Sequence, residues 1–294
     1  MIGTLSLRPL GPTIGAEVTG LDVSQALDDS IIRWLADSLA EHAVLVLRSQ
    51  KLDAAQFGAL GRRFGVPKPH LLEGYQHPDF PEVSLVTNVT PDGKIDPFGV
   101  KRATTWHSDE TYKQTTPRLA MLHGIEIPAD GGGTMFAEMR AAFDTLPPAT
   151  QERLRGMTGL HQFTAGPADA RSAYAMRVSE ESLRNLIDWE HPAVIRHPGN
   201  GREILFVNPS HTHGFVGLAP AEGTALVEEL SRHSVQPEFV YHHQWRVGDL
   251  VIWDEVSTMH KGAGDSPPDQ RRVLMRTIVH PATPYWRAVE HKAA

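Results

Sequence analysis

Cysteine is absent from the 294 residues, which removes disulfides, thiolate nucleophiles and Cys-ligated zinc or iron–sulfur centres from consideration. Any metal held by this chain must use His, Asp or Glu. Basic residues are scarce relative to acidic ones, 28 Lys and Arg against 35 Asp and Glu for a net charge of −7. The basic face that nucleic acid or an anionic membrane demands is therefore not expected. No apolar run approaches the ~20 residues that cross a bilayer. The opening MIGTLSLRPLGPTIG lacks the basic start and continuous apolar stretch of a secretory leader. The expectation is a cytoplasmic protein with neither a membrane nor a nucleic-acid partner. What is abundant is histidine, 16 residues, which makes metal chemistry feasible and also multiplies chance motifs.

A chain of this length can bury a substantial core, and a single domain over 1–294 is expected. Short apolar stretches punctuated by Gly and Pro over 5–24 predict strands and turns. Ile31, Leu35 and Leu39, spaced by four, predict a helix after Asp28 and Asp29. AVLVLRS then predicts a buried strand, and Asp53 with Gln56 a capping box opening a second helix. Between 66 and 105 periodicity is poor and Pro, Gly, His and Asp are frequent, so long functional loops are expected, interrupted by a strand at EVSLVTNV. MLHGIEI predicts a strand, GGG a turn, and EMRAAFDTL and PPATQERLRGM two short helices. Strands at 193–197, 203–208, 238–243, 249–253 and 273–279, with one helix near 220–233, complete a pattern of many short strands and few helices. That pattern suggests a sandwich or barrel with helical additions.

The segment WHSDETY, residues 106–112, places His107 two positions before Asp109. In extended chain both side chains point the same way, and an imidazole with a carboxylate is two thirds of the facial triad that holds non-haem Fe(II). The motif alone decides little, because 16 His and 17 Asp in 294 residues give about one His-x-Asp by chance. Indeed His77-Pro78-Asp79 is a second, in what reads as a surface turn. A third ligand has to come from far along the chain, and His260 follows an apolar strand ending at Trp253-Asp254.

In QRRVLMRTIV, alternation puts Arg272, Leu274, Arg276 and Ile278 on one strand face. Two guanidinium groups on a covered face are costly unless paired, and no nearby acid in the sequence supplies the pairs. Bound carboxylates would supply them. An edge strand with solvated arginines is the competing interpretation.

Taken together, His107-x-Asp109, His260 and Arg272 make the chain resemble the Fe(II)/2-oxoglutarate-dependent dioxygenases of the taurine dioxygenase and 2,4-dichlorophenoxyacetate dioxygenase family. The likeness covers nearly the whole chain, through LRPLGPTIGAEVTGLDVSQALDD, EHAVLVLRSQ, GGGTMFAEMRAAFDTLPP and EFVYHHQWRVGDLVIWDEVSTMHK leading into QRRVLMR. MRAAFDTLP and FVYHHQWRVGDLVIWD look closer to the phenoxyacetate branch.

The resemblance implies a mainly β fold, a double-stranded β-helix or jelly roll core with peripheral α-helices, and an oligomer of identical chains. It implies His107, Asp109 and His260 as Fe(II) ligands, and Arg272 with Thr134 as the grip on the distal carboxylate of the co-substrate 2-oxoglutarate. Arg271 competes with Arg272 if the register slips by one. Arg276 matches the position that meets the acidic group of a small anionic organic substrate. His70 matches a substrate contact of the taurine branch, although Glu73 stands where that branch has Tyr. Lys94, in TPDGKIDP, is a candidate second positive contact. His211 and His213 are expected beside the substrate pocket, and His242 and His243 in structural roles. The implied reaction consumes O2 and 2-oxoglutarate, hydroxylates the substrate and releases succinate and CO2. An aryloxyalkanoate with ether cleavage is the first expectation, an alkylsulfonate or alkylsulfate the second, and a non-catalytic metal-binding jelly roll the third. Two departures stand out: Glu255 where the family usually has Asn after WD, and GGGT where Gly-Gly-Asp-Thr is commoner.

Overall fold

Acidic caps start the first two helices. In the computed structural model, which describes residues 4–70, 73–90, 92–96, 103–163, 187–281 and 286–288, the Asp28 side chain accepts the N–H groups of Ser30 and Ile31 to open α1 (Asp29–His42). The reciprocal capping box of Asp53 and Gln56 opens α2 (Ala54–Arg62). The buried stripe of α1 contains Ile32, Leu35 and Leu39, with Ile31 only partly covered. Steps of three and four follow the 3.6-residue turn more closely than the uniform step of four expected from sequence.

The major sheet runs in the order β1 (Ser6–Pro9), β2 (Ala16–Thr19), β3 (Val44–Leu47), β14 (Leu250–Asp254), β6 (Leu119–Glu126), β16 (Val273–His280) and β4 (Val66–Lys68), and β5 (Ser84–Thr87) also pairs with β16. Its ladders are antiparallel except for β2 with β3. One face carries the helices: Leu35, Leu39, Phe57 and Leu60 cluster with Leu45, Leu47, Met121, Met275 and Val279. The other face is covered by a small sheet of β13 (Val240–His243), β7 (Thr134–Glu138) and β15 (Thr258–Gly262). There Phe136 of β7 shares a buried cluster with Val44, Leu122, Trp253 and Leu274, and Ile278 packs against it. Strand β16 thus sends Met275 and Val279 toward the helices and Leu274 and Ile278 between the sheets, the alternation expected from its sequence.

Two further three-stranded sheets, β12 (Thr212–Phe215), β8 (Thr158–His161), β9 (Trp189–Pro192) and β11 (Glu203–Leu205), β10 (Val194–Arg196), β17 (Arg287–Ala288), complete the strands. Their cluster, with Ile195, Leu205 and Phe215, also takes in Phe143, Leu154 and Leu230 from α3 (Met139–Asp144), α4 (Pro148–Arg155) and α5 (Pro220–Ser234). The fold is mainly β with peripheral helices, as expected, and its facing sheets are consistent with the jelly roll that the resemblance implies. Among the described residues no helix is long and apolar enough to cross a membrane.

Strands β4, β8, β9, β12 and β17 stand where none was expected, and two elements next to the site also differ from expectation. Strand β7 stands where only a turn and a helix were expected, so α3 begins at Met139, with the Glu138 carboxylate accepting the N–H groups of Arg140 and Ala141 as its cap. Strand β15 carries His260, which local sequence presents as a loop histidine. Of the long loops expected between 66 and 105, residues 71–72, 91 and 97–102 lie outside the described residues.

Candidate active site

Backbone pairing brings the two histidines together. His107 N–H donates to the His260 carbonyl at 3.0 Å and His260 N–H to the His107 carbonyl at 2.7 Å, an isolated antiparallel bridge between otherwise distant segments. Directly opposed residues in such a pair project to the same side, and the ring centroids lie 4.2 Å apart. Asp109, two residues on, faces the same way, its Oδ1 3.7 Å from His107 Nε2. One ligand atom from each of His107, Asp109 and His260 lies within 4.8 Å of the other two. Strand β15 is anchored by its register with β7, His260 opposite Phe136, and the His260 ring is 4.9 Å from that of Trp253.

The protonation states suit a cation. The Thr105 carbonyl lies 2.8 Å from His107 Nδ1. Because a carbonyl only accepts, Nδ1 is the donor and Nε2 is the nitrogen left to face the cluster. Burial, followed by the proximity of His107, pushes His260 down to about 3, so this ring is neutral at physiological pH. Burial would raise the Asp109 carboxyl, but Arg276, His260 and His107 outweigh it and hold the group at about 2. Two imidazoles and one carboxylate facing one point, with His107 and Asp109 half-buried and His260 buried, form a donor set for a divalent metal with positions left for other ligands.

Beneath this set lies an acid of opposite character. Glu255 is 2% exposed, and its Oε2 accepts the backbone N–H of Asp109 at 3.0 Å. Burial, then the charge of Asp109, drives its pKa well above the ordinary 4.5. A raised folded-state pKa contributes stability that is complete below the unfolded value and is lost as pH climbs through the folded one. Glu255→Gln, which keeps an acceptor oxygen, is therefore expected to match the wild type in stability near pH 4 and exceed it at pH 7–8. The gain in metal-free protein should be on the order of 2–4 °C in Tm, the shift that ~1 kcal/mol produces in a large domain. Thermal melts across that range check this, and equal melting of the two proteins at pH 8 would contradict it.

Arg272, one residue before β16, and Arg276 within it stand apart in function. Arg272 donates from Nε to the Gly132 carbonyl at 2.7 Å and from Nη2 toward Thr134 Oγ1 at 3.4 Å. Its neighbour Arg271 is turned outward into an ion pair with Glu126 at 2.6 Å. Arg276, four residues beyond Arg272, brings Nη1 to 3.8 Å from Asp109 Oδ2, and its buried Nε has no hydrogen-bond partner among the described residues. Val86, Asn88, Thr104, Gly133, Gly262 and Arg272 line a cavity beside the cluster, three residues before His107 and two after His260 in the case of Thr104 and Gly262. The glycine run above it is sterically required. Gly131 and Gly132 both have φ of +69°, and a Cβ on Gly131 would lie 2.1 Å from the Asp265 carbonyl. At Gly133 a Cβ would meet His242 Nε2 at 2.2 Å. The imidazole of His242 thus occupies the place of the side chain that Gly-Gly-Asp-Thr would put there.

The remaining candidates fall in different places. His211 is drawn to the cluster by its loop: Ser210 Oγ donates to the Trp106 carbonyl at 2.9 Å, and Asn208 joins Thr111 at 3.0 Å. Burial, then the nearness of His107, takes His211 down to about 3. Its ring lies 4.7 Å from Tyr112, which in turn lies 4.8 Å from Phe163. His213 pairs instead with Asp188 at 2.9 Å. His243 is fully buried while His242 is exposed, as alternation on β13 requires. His70 sets its ring against Tyr75 at 5.5 Å. Lys94 reaches Asp92 at 2.7 Å with its side chain 81% exposed. Sequence reasoning did not single out Trp245, whose Nε1 donates to Thr134 Oγ1 at 2.9 Å, or Asn208 and Ser210. Only a buried aromatic with one donor hinted at the first, and nothing local pointed to the other two.

Comparison with known proteins agrees with this geometry. Residues 6–278 match the family model described as taurine catabolism dioxygenase TauD, TfdA family. The alpha-ketoglutarate-dependent 2,4-dichlorophenoxyacetate dioxygenase of Cupriavidus pinatubonensis is 34% identical over 269 residues, covering 87% of this chain and 91% of its own. The alkylsulfatase of Acinetobacter baylyi is 30% identical over 280 residues, covering 92% and 84%. The crystal structure of AAD-2 in complex with Mn(II) and N-oxalylglycine superposes with a TM-score of 0.83 at 27% identity, covering 98% of this chain and 99% of that one. The chain therefore belongs to the TauD/TfdA family, and it is an oxidoreductase that works as a dioxygenase with Fe(II), 2-oxoglutarate and O2.

Proposed function

We propose that this enzyme hydroxylates a small organic anion held by Arg276 above a metal bound to His107, Asp109 and His260, within one catalytic domain spanning 1–294. The observation that carries the reading is the Arg276 guanidinium. It lies on the inner face of β16 near Asp109 with a buried, unpartnered Nε, and an acidic ligand would complete its hydrogen bonds. Arg272 and Thr134 would hold the distal carboxylate of 2-oxoglutarate. The metal, when bound with this co-substrate, supplies the oxidation: O2 and 2-oxoglutarate become succinate and CO2 as one oxygen atom enters a substrate C–H bond. The protein's share is placement. Arg276 would fix the acidic end, and the contiguous rings of His211, Tyr112 and Phe163, of which His211 lies near His107 and Asp109, would offer an aromatic surface on which an aryl group can pack.

An aryloxyalkanoate satisfies both features. Hydroxylation of the carbon between carboxylate and ether oxygen gives a hemiacetal whose C–O bond breaks, releasing a phenol and an oxo acid. An alkylsulfate is the second reading, favoured by the alkylsulfatase relative: the same guanidinium would bind sulfate, and collapse of the hydroxylated carbon would release it with an aldehyde. Succinate formation across a panel of aryloxyacetates, aryloxypropionates, alkylsulfates and alkylsulfonates separates the two. Arg276→Ala should raise the KM of the accepted acid on the order of 30-fold or more, the loss from stripping a buried charge of its partner, with 2-oxoglutarate affinity kept within about 3-fold. An unchanged substrate KM would remove Arg276 from this role.

A further inference from the structure

The hydroxyl of Thr134 is constrained from two sides. A threonine hydroxyl has one proton to donate and two lone pairs with which to accept. Trp245 Nε1 reaches Oγ1 at 2.9 Å and Arg272 Nη2 at 3.4 Å. Indole N–H and guanidinium are donors only, so both contacts consume lone pairs. What remains is the O–H itself, for which no acceptor exists among the described residues. A hydroxyl in this state can serve only a ligand oxygen that accepts.

We propose that Trp245 is a positioning residue for the co-substrate: its indole N–H fixes the Thr134 hydroxyl as a donor aimed at the distal carboxylate of 2-oxoglutarate. The inference rests on the reading of Thr134 and Arg272 as the grip on that carboxylate. Register explains how Trp245 reaches. Strand β13 places His243 directly opposite Thr134, and Trp245 follows two residues later, 6% exposed beside a threonine that is 4% exposed. The indole is braced. Its ring meets His243 edge to face at 4.5 Å, and His243 is held between Tyr241 Oη at 3.0 Å and Asp249 Oδ2 at 3.2 Å. Asp249 in turn accepts from Arg48 and from the Arg246 N–H at 2.8 Å. The indole thus packs against a largely buried group of polar side chains, which restricts where its N–H can point.

The test measures binding of 2-oxoglutarate and of oxalate, a metal chelator with no distal carboxylate, to the Mn(II)-loaded protein by calorimetry. Trp245→Phe is compared with Thr134→Val and the double variant. Trp245→Phe should weaken 2-oxoglutarate about 5–10-fold, as expected for loss of one buried hydrogen bond, while leaving oxalate and Mn(II) affinity as in the wild type. In the double variant 2-oxoglutarate should bind no more weakly than in Thr134→Val alone, since the two residues act through one hydroxyl. KM for 2-oxoglutarate should rise with kcat retained. Should Trp245→Phe fold poorly, benzothienylalanine at 245 keeps the bicyclic ring and deletes only the N–H, with the same expectation. Weakening in Thr134→Val with wild-type binding in the Trp245 variants, or equal loss of oxalate and 2-oxoglutarate, overturns the inference and leaves the co-substrate grip standing. Wild-type binding in Thr134→Val overturns the grip and the inference with it.

Discussion

His107→Ala loses turnover and metal together while the protein stays folded. The fold survives because the contact that joins the two histidine segments is made by backbone, His107 N–H and carbonyl pairing with those of His260, and alanine keeps both bonds. Only the ring is deleted, and with it the lone pair that the Thr105 carbonyl holds toward the cluster. Loss of an outer-shell partner of a metal ligand already costs ~10–100-fold in affinity or activity, so loss of the ligand itself should exceed that range in both. Metal affinity by competition with a chelator, activity as succinate released per mole of enzyme, and the melting temperature of metal-free protein form the set of measurements. A variant that melts as the wild type does yet holds no metal fits the account; one that turns over normally refutes the assignment of His107.

The second large effect is on the co-substrate. Arg272→Ala should weaken 2-oxoglutarate on the order of 10–100-fold, the range for charge-assisted hydrogen bonds to a carboxylate, and leave metal binding without co-substrate unchanged. The entry to the strand should tolerate the change, since it is tied through the main-chain groups of residue 272, which alanine keeps: Arg272 N–H to Asn88 Oδ1 at 2.7 Å and Asn88 N–H to the Arg272 carbonyl at 3.2 Å. Arg272→Lys should recover part of the loss but not all of it, because ammonium retains the charge without the planar fork. Arg271→Ala serves as the comparison. Its guanidinium faces Glu126 on the surface, and its removal is expected to change 2-oxoglutarate binding by less than about 2-fold. Equal effects of the two substitutions would mean that the site takes its charge from another residue.

Much of the scaffold can be traced to local sequence. Asp28 and the pair Asp53 and Gln56 announce their helices because capping is a matter of a few consecutive residues. The alternation of Arg272, Leu274, Arg276 and Ile278 survives into β16 because the strand is sandwiched between a helix-bearing face and the small sheet, so each side chain has a defined side. The small sheet itself is less legible. Strand β15, TMHKG, has no local pattern beyond five residues, and β7 follows a glycine run that reads as a turn. Both exist because β7 pairs with β15 on one side and with β13 on the other, contacts between segments far apart in the chain. For the same reason the His107 and His260 partnership followed from resemblance and not from spacing. Glu255 was visible as a departure from Asn, yet its meaning depends on the Asp109 N–H beneath which it is buried. Trp245 gave no more than the hint of an aromatic with one donor, since a donor shows its acceptor only in three dimensions.

The most direct test of the central claim is an anaerobic titration of the metal-free protein with Fe(II) in the presence of 2-oxoglutarate, followed through the visible charge-transfer absorption of a chelated 2-oxo acid. The account predicts a band that saturates at one Fe(II) per chain, weakens at a given 2-oxoglutarate concentration in Arg272→Ala and is missing in His107→Ala. Iron bound tightly with no such band, or a band that persists undiminished without His107, would contradict the site built from His107, Asp109 and His260.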